Sequence, residues 1–141
     1  MNTGRIIIAG ILGGIVAFLL GWVFYGMLLM DFFTENAGSA SGVMRAEDEM
    51  GYVPLMVGNI AWGLLFAVVL ARWNGGVGTF GGGLKVGALL GFLIAVAYDL
   101  ISLGTTHIMN TNGVLADIVL GTVMSALIGG VVAPVLGRGK Q

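Results

Sequence analysis

No cysteine stands anywhere in the 141 residues, which excludes disulfides, lipid attachment through a lipobox cysteine, thiolate metal sites and thiol redox chemistry. Histidine is nearly as scarce: the single His107 cannot supply a bis-histidine haem from one protomer. Charge is the third shortage. Asp, Glu, Lys and Arg make up 9% of the chain, against about 25% in an average soluble domain. Six basic and seven acidic side chains do not cover the surface of a soluble fold of this size. The basic residues form no stripe, so nucleic acid is not an expected partner. No Lys-Ser/Thr ending and no preceding strand accompany the glycine-rich stretch GGVGTFGGG, which excludes a phosphate-binding loop.

What the chain has instead is apolar length. Hydrophobic residues reach 57%, and four runs approach or exceed the roughly 20 helical residues that cross a hydrocarbon core. They are Ile6–Met30, Val53–Trp73, Leu84–Gly104 and Val114–Leu136. Backbone N–H and C=O groups cannot stay unpaired in lipid, so each run is expected to be a helix. The first run is too long for the apolar stretch of a signal peptide, about 7–15 residues, and a cleavage near Ala37–Ala40 is the minor alternative. The reading is a single all-α domain over residues 1–141, a polytopic four-transmembrane-helix bundle.

Charge orients the bundle. Arg5, Arg72, Lys85, Arg138 and Lys140 fall at one end, and Arg45 alone falls at the other. Every acid lies on the Arg45 side: Asp31, Glu35, Glu47, Asp48, Glu49, Asp99 and Asp117. The positive-inside rule then places both termini and the Asn74–Gly83 turn in the cytoplasm. The loop 31–52 and the turn Thr105–Gly113 face outward. In that loop Ser41 is a candidate helix cap, and Glu47, Asp48 and Glu49 read as a solvated acidic face rather than a cation site. Trp22, Tyr25, Phe32, Phe33 and Tyr52 read as anchors at the outer boundary, with Trp73 and Phe80 at the inner one.

The two halves of the chain resemble one another. GILGG at Gly10–Gly14 aligns with GALLG at Gly87–Gly91, and GNIAWG at Gly58–Gly63 aligns with ADIVLG at Ala116–Gly121. Each half is an in-to-out helix followed by an out-to-in helix. This gives two tandem helical hairpins, related by a pseudo-two-fold axis along the membrane normal. Small residues recur at four-residue spacing, including Gly10 and Gly14, Gly87 and Gly91, and Gly121, Ser125 and Gly129. Such rows let helix backbones approach where lipid offers no hydrophobic drive for association. They suit a tight bundle or a contact with another chain.

Depth singles out the polar residues. Asp99, Asn59 and Asp117 each fall a few residues inside the outer ends of their spans, roughly 5–8 Å below the boundary at 1.5 Å per residue. Tyr98, Ser102, Thr122 and Trp62 share that level, and His107 sits just above it. An Asp at a helix centre carries an insertion penalty of about 2.5–3.5 kcal/mol, so these acids are expected to face protein or water rather than lipid. Two readings follow. The acids hydrogen-bond to Asn59, Tyr98 or nearby hydroxyls and set helix register, or they line an outward-facing polar pocket. No nucleophile, base and orienting group are arranged for catalysis. His107 with both acids would be a sparse metal set. No catalytic residue, metal or cofactor is assigned.

The segments GWVFYGMLLMDFF at the end of the first span, RAEDE in the outer loop and GALLGFLIA in the third span resemble a bacterial family of small four-helix membrane proteins, catalogued as domain of unknown function 1761. The resemblance covers most of the chain through loose motifs. NIAWG also resembles related four-helix families, and the Tyr98-Asp99 pair departs from the pattern. It implies fold and location, with no activity or site to carry over.

The leading expectation is a non-enzymatic structural or accessory membrane subunit. It would act through glycine-mediated helix packing as a homo-oligomer or in a larger membrane complex, with the lipid bilayer as its surroundings. The alternatives are a transporter or channel component for a small solute, ion or proton, and a membrane enzyme using the paired carboxylates and His107.

Overall fold

The structure, a computed structural model, describes residues 3–73 and 78–138. Lys140 and the first part of the Asn74–Gly83 turn lie outside the described residues. Among the described residues the chain is helical and contains no strand. The elements are α1 (Thr3–Val23), a π-helical turn (Phe24–Leu28), α2 (Met30–Glu35), a single 3-10 turn (Glu47–Glu49), α3 (Tyr52–Arg72), α4 (Phe80–Thr105) and α5 (Thr111–Gly137). Four helical stretches are long and apolar enough to cross a membrane: Thr3–Leu28, Tyr52–Arg72, Phe80–Thr105 and Thr111–Gly137.

The helix ends correct the reading of the sequence in several places. The third span begins at Phe80 rather than Leu84, because the Thr79 side chain accepts from the Gly82 N–H at 3.1 Å and caps a helix that runs through three glycines. Asn110 caps α5 in the same way, through Gly113 N–H at 3.0 Å, which shortens the expected turn. The first span is interrupted: Leu29 N–H bonds to Phe24 C=O at 2.8 Å, a five-residue π closure, before the chain resumes as α2. Ser41 caps no helix. The loop there is irregular, with Gly42 at φ 69°, and its only helical turn follows Ala46.

Two glycine crossings hold the bundle. At the first, Gly10 and Gly14 of α1 lie against Leu64 and Ile60 of α3, and Gly63 of α3 lies against the backbone of Gly10 and Gly14. At the second, Gly83, Gly87 and Gly91 of α4 lie against Ser125 and Gly129 of α5. A Cβ at most of these positions would overlap backbone, which is why the rows contain no larger residue. Gly121 is looser, with room for ordinary contact against Ala95 at 3.4 Å. The residues read as packing positions are thus engaged within the chain.

The buried face of α4 consists of three glycines and Asp99. α5 is the central helix: it packs on α4, α1 and α3, while α3 and α4 scarcely meet. Under a strict two-fold relation the α3–α4 contact would match the extensive α1–α5 one, so the packing departs from symmetry on that side. The dry core is also one-sided. Ala9, Ala17, Phe66, Ala67, Leu70, Ile128, Val132, Ala133 and Leu136 cluster in the half of the bundle nearest the chain termini. At the opposite end Val114, Ile118 and Leu120 of α5 are buried, and backbone bonds between segments close over them. Gly38 N–H bonds to Ile108 C=O at 2.8 Å, Ala40 N–H to His107 C=O at 3.0 Å and Asn110 N–H to Asn36 C=O at 3.0 Å.

Candidate functional site

Two adjoining cavities of about 530 and 330 Å³ lie against α5, the larger lined from α1, the π turn and α3, the smaller from the π turn, Trp62 of α3 and α4. They share Tyr25, Trp62, Gly121 and Ser125. Asp99, Asp117 and Tyr98 line the smaller one, and Asn59 lines the larger.

The acids meet because antiparallel helices joined by a short turn bring equal offsets to one level. Asp99 lies six residues before the end of α4 and Asp117 six residues after the start of α5, a depth of about 9 Å on each helix. Asp99 is 2% exposed, the only buried acid among the described residues. Its Oδ2 has no hydrogen-bond partner. Asp117 lines the same cavity beside it. Asp117 also accepts from the Tyr25 hydroxyl.

Tyr25 was legible only as a boundary anchor, yet it is the side chain that reaches Asp117. It sits in the π turn, and its ring packs on Phe33 at 5.1 Å, which in turn meets Phe32 edge-on at 5.5 Å. The depth argument applied to the first span would have found it: Tyr25 is five residues from Met30, as Asp99 is five from Gly104. On α3, the Trp62 ring lies 5.8 Å from that of Phe66, tilted by 55°, and Trp62 lines both cavities.

The remaining candidates do not join the acids. Asn59 donates back to Leu55 C=O at 2.8 Å, and Thr122 donates to Ile118 C=O at 2.7 Å. Ser102 pairs with Thr106 at 3.3 Å. Each satisfies itself one helical turn away, the common alternative for short polar side chains in apolar helices. Tyr98 lines the mouth and is 72% exposed. His107 is exposed in the closing turn and does not line the opening. Among the described residues no three His, Asp or Glu side chains converge as a metal site.

The fold and this opening define the class: a helical protein whose four long apolar helices suit a multi-pass membrane protein, with a carboxyl pair facing a cavity. Compared with family models, curated proteins and solved structures, the chain matches none.

Proposed function

We propose that the chain is an inner-membrane protein of two tandem helical hairpins, with both termini cytoplasmic, whose outer half holds a site for a small solute, ion or proton, as a transporter or channel component. The observation that carries this reading is Asp99, buried with an unpartnered Oδ2 beside Asp117 at the edge of a cavity. A purely structural acid would be expected to have its acceptors filled, because an unsatisfied buried polar group costs about 1–3 kcal/mol. Hydrogen bonds between membrane helices are worth about 0.6 kcal/mol on average and at most about 1.7. An Asp at a helix centre costs about 2.5–3.5 kcal/mol to insert, less near the interface, so one bond from Tyr25 is a weak reason to retain two acids. The skew of Lys and Arg to the terminal end supports the orientation.

The test is infrared titration of the carboxyl bands in liposomes, with Asp99→Asn and Asp117→Asn used to assign them. Bands that change with pH and with added solute support the site. Bands indifferent to both, in variants that only loosen the bundle, count against it.

The structural or accessory role is the second reading, and the Tyr25–Asp117 bond favours it by tying the end of the first span to α5. Its glycine rows, however, are engaged inside the chain, so a partner would have to meet larger apolar side chains. The reading is non-enzymatic: the acids have a phenol beside them but no nucleophile–base arrangement.

A further inference from the structure

We propose, resting on the solute-site reading, that the ligand is a lipophilic monovalent organic cation, an ammonium carrying aromatic or alkyl groups, held by Asp99 and Asp117 against Trp62 in exchange for a proton. Four features of the opening select this chemistry. The first is sign. Two carboxyl groups line the cavities and no Lys, Arg or His does. The second is the apolar share of the wall. Beside the acids and the hydroxyls of Tyr25, Tyr98 and Ser125, the smaller cavity is walled by Gly91, Ile94, Ala95, Gly121 and the Trp62 ring system. Such walls suit carbon substituents better than a hydrated ion.

The third feature is Trp62, whose indole borders both cavities; a cation over an indole face gains about 0.5–2 kcal/mol. The fourth is the route: α3 and α4 scarcely meet, and the smaller cavity has Trp62 of α3 and Gly91, Ile94 and Ala95 of α4 on its walls, so the proposed entry for an amphiphilic cation partitioned into the bilayer is sideways between these two helices. The smaller cavity, about 330 Å³, lies at the lower end of the range for small-molecule pockets.

The exchange balances. In the proposed exchange one cation enters as one carboxyl proton leaves the pair for water at the mouth, so the net charge of the site is unchanged. The titratable groups that face the site are Tyr25 from the π turn, Asp99 and Tyr98 from α4, and Asp117 from α5. α3 contributes Trp62 and Asn59, which do not titrate. Lowering the pH adds protons to the carboxyl groups and removes the charge that holds the cation, so affinity falls toward acid.

The experiment is equilibrium dialysis of labelled phenyltrimethylammonium against the full chain in detergent, with tert-butylbenzene as its uncharged isostere and K⁺ and Mg²⁺ as competitors. The expected result is saturable binding of about one cation per chain with release of about one proton. Affinity should be at least about tenfold weaker at about pH 5 than at about pH 8, and tenfold or more weaker in Asp99→Asn and in Asp117→Asn. Trp62→Leu should weaken binding about threefold or more. Glu47→Gln, in the loop, should stay within about twofold.

Equal binding of tert-butylbenzene, or cation binding unchanged in both Asn variants, overturns the proposal. If K⁺ or a neutral polar solute binds instead and is lost in Asp117→Asn, the cation class fails while the solute site stands. If no compound moves the carboxyl bands and the variants only lower the melting temperature, both fall.

Discussion

At the scale of single residues, the site turns on one unmet acceptor and one hydroxyl. Tyr25 reaches Asp117, and Tyr98, adjacent in sequence to Asp99, points mostly outward. The two tyrosines therefore predict opposite outcomes. Tyr25→Phe removes the only side-chain donor to Asp117 among the described residues and should destabilise the bundle by about 0.6–1.7 kcal/mol. Tyr98→Phe should stay within about 0.5 kcal/mol. Thermal unfolding of the two variants in detergent reads the difference directly. Asp99→Asn should lose little stability, because it exchanges one buried carboxyl with an unfilled oxygen for a neutral group of the same shape. A large loss there would mean that Asp99 acts mainly as a helix pin.

At the scale of elements, glycine determines how closely the helices pack and the π turn positions Tyr25. The α4–α5 crossing has no side chain between the backbones at Gly83 and Gly87, so adding even a methyl group moves one helix off the other. Gly87→Ala should cost at least about 1–3 kcal/mol by overpacking. Gly121→Ala, four residues before Ser125 on the same face, meets only Ala95 at 3.4 Å. It should be neutral or gain up to about 1 kcal/mol from helix propensity. Chemical unfolding of both variants in one detergent checks the pair; equal losses would show that the crossing is not where the geometry puts it. The π closure at Phe24–Leu28 has a comparable local effect. It adds a residue to one turn, and Tyr25 stands in that turn facing α5.

At the scale of the whole molecule, packing divides the bundle in two. The half near the termini is filled by Phe66, Ile128, Val132 and their neighbours, and the other half buries Val114, Ile118 and Leu120 but holds the cavities around the acids. Phe66→Ala should therefore be the most damaging apolar truncation, about 3–5 kcal/mol on the scale of large-to-small core changes, whereas Leu55→Ala at the rim of the opening should cost far less. Orientation is testable at the same scale, since a chain without cysteine carries any introduced thiol as a unique label. With both termini inside, Ser41→Cys in intact cells should react with a membrane-impermeant maleimide, and Arg138→Cys should react only after permeabilisation. The reverse pattern would invert the proposed topology.

Much of the architecture is written in composition and periodicity. Four apolar runs separated by polar or glycine-rich turns determine four long helices, because lipid leaves the backbone no other way to satisfy itself. Antiparallel neighbours with short turns then bring Asp99 and Asp117 to one depth, which is counting along a helix. The azimuth of each side chain is a different matter. Whether Tyr25 or Tyr98 faces an acid depends on helix rotation, and in a chain apolar on nearly every face no hydrophobic stripe marks which side is buried. The same ambiguity hid the local bonds that remove Asn59, Ser102 and Thr122 from the cluster. The glycine rows announced close approach without naming the partner. Only the packed structure decided that α1 meets α3, that α4 meets α5, and that α3 and α4 stay apart, because those choices rest on backbone-to-backbone fit between segments distant in the chain.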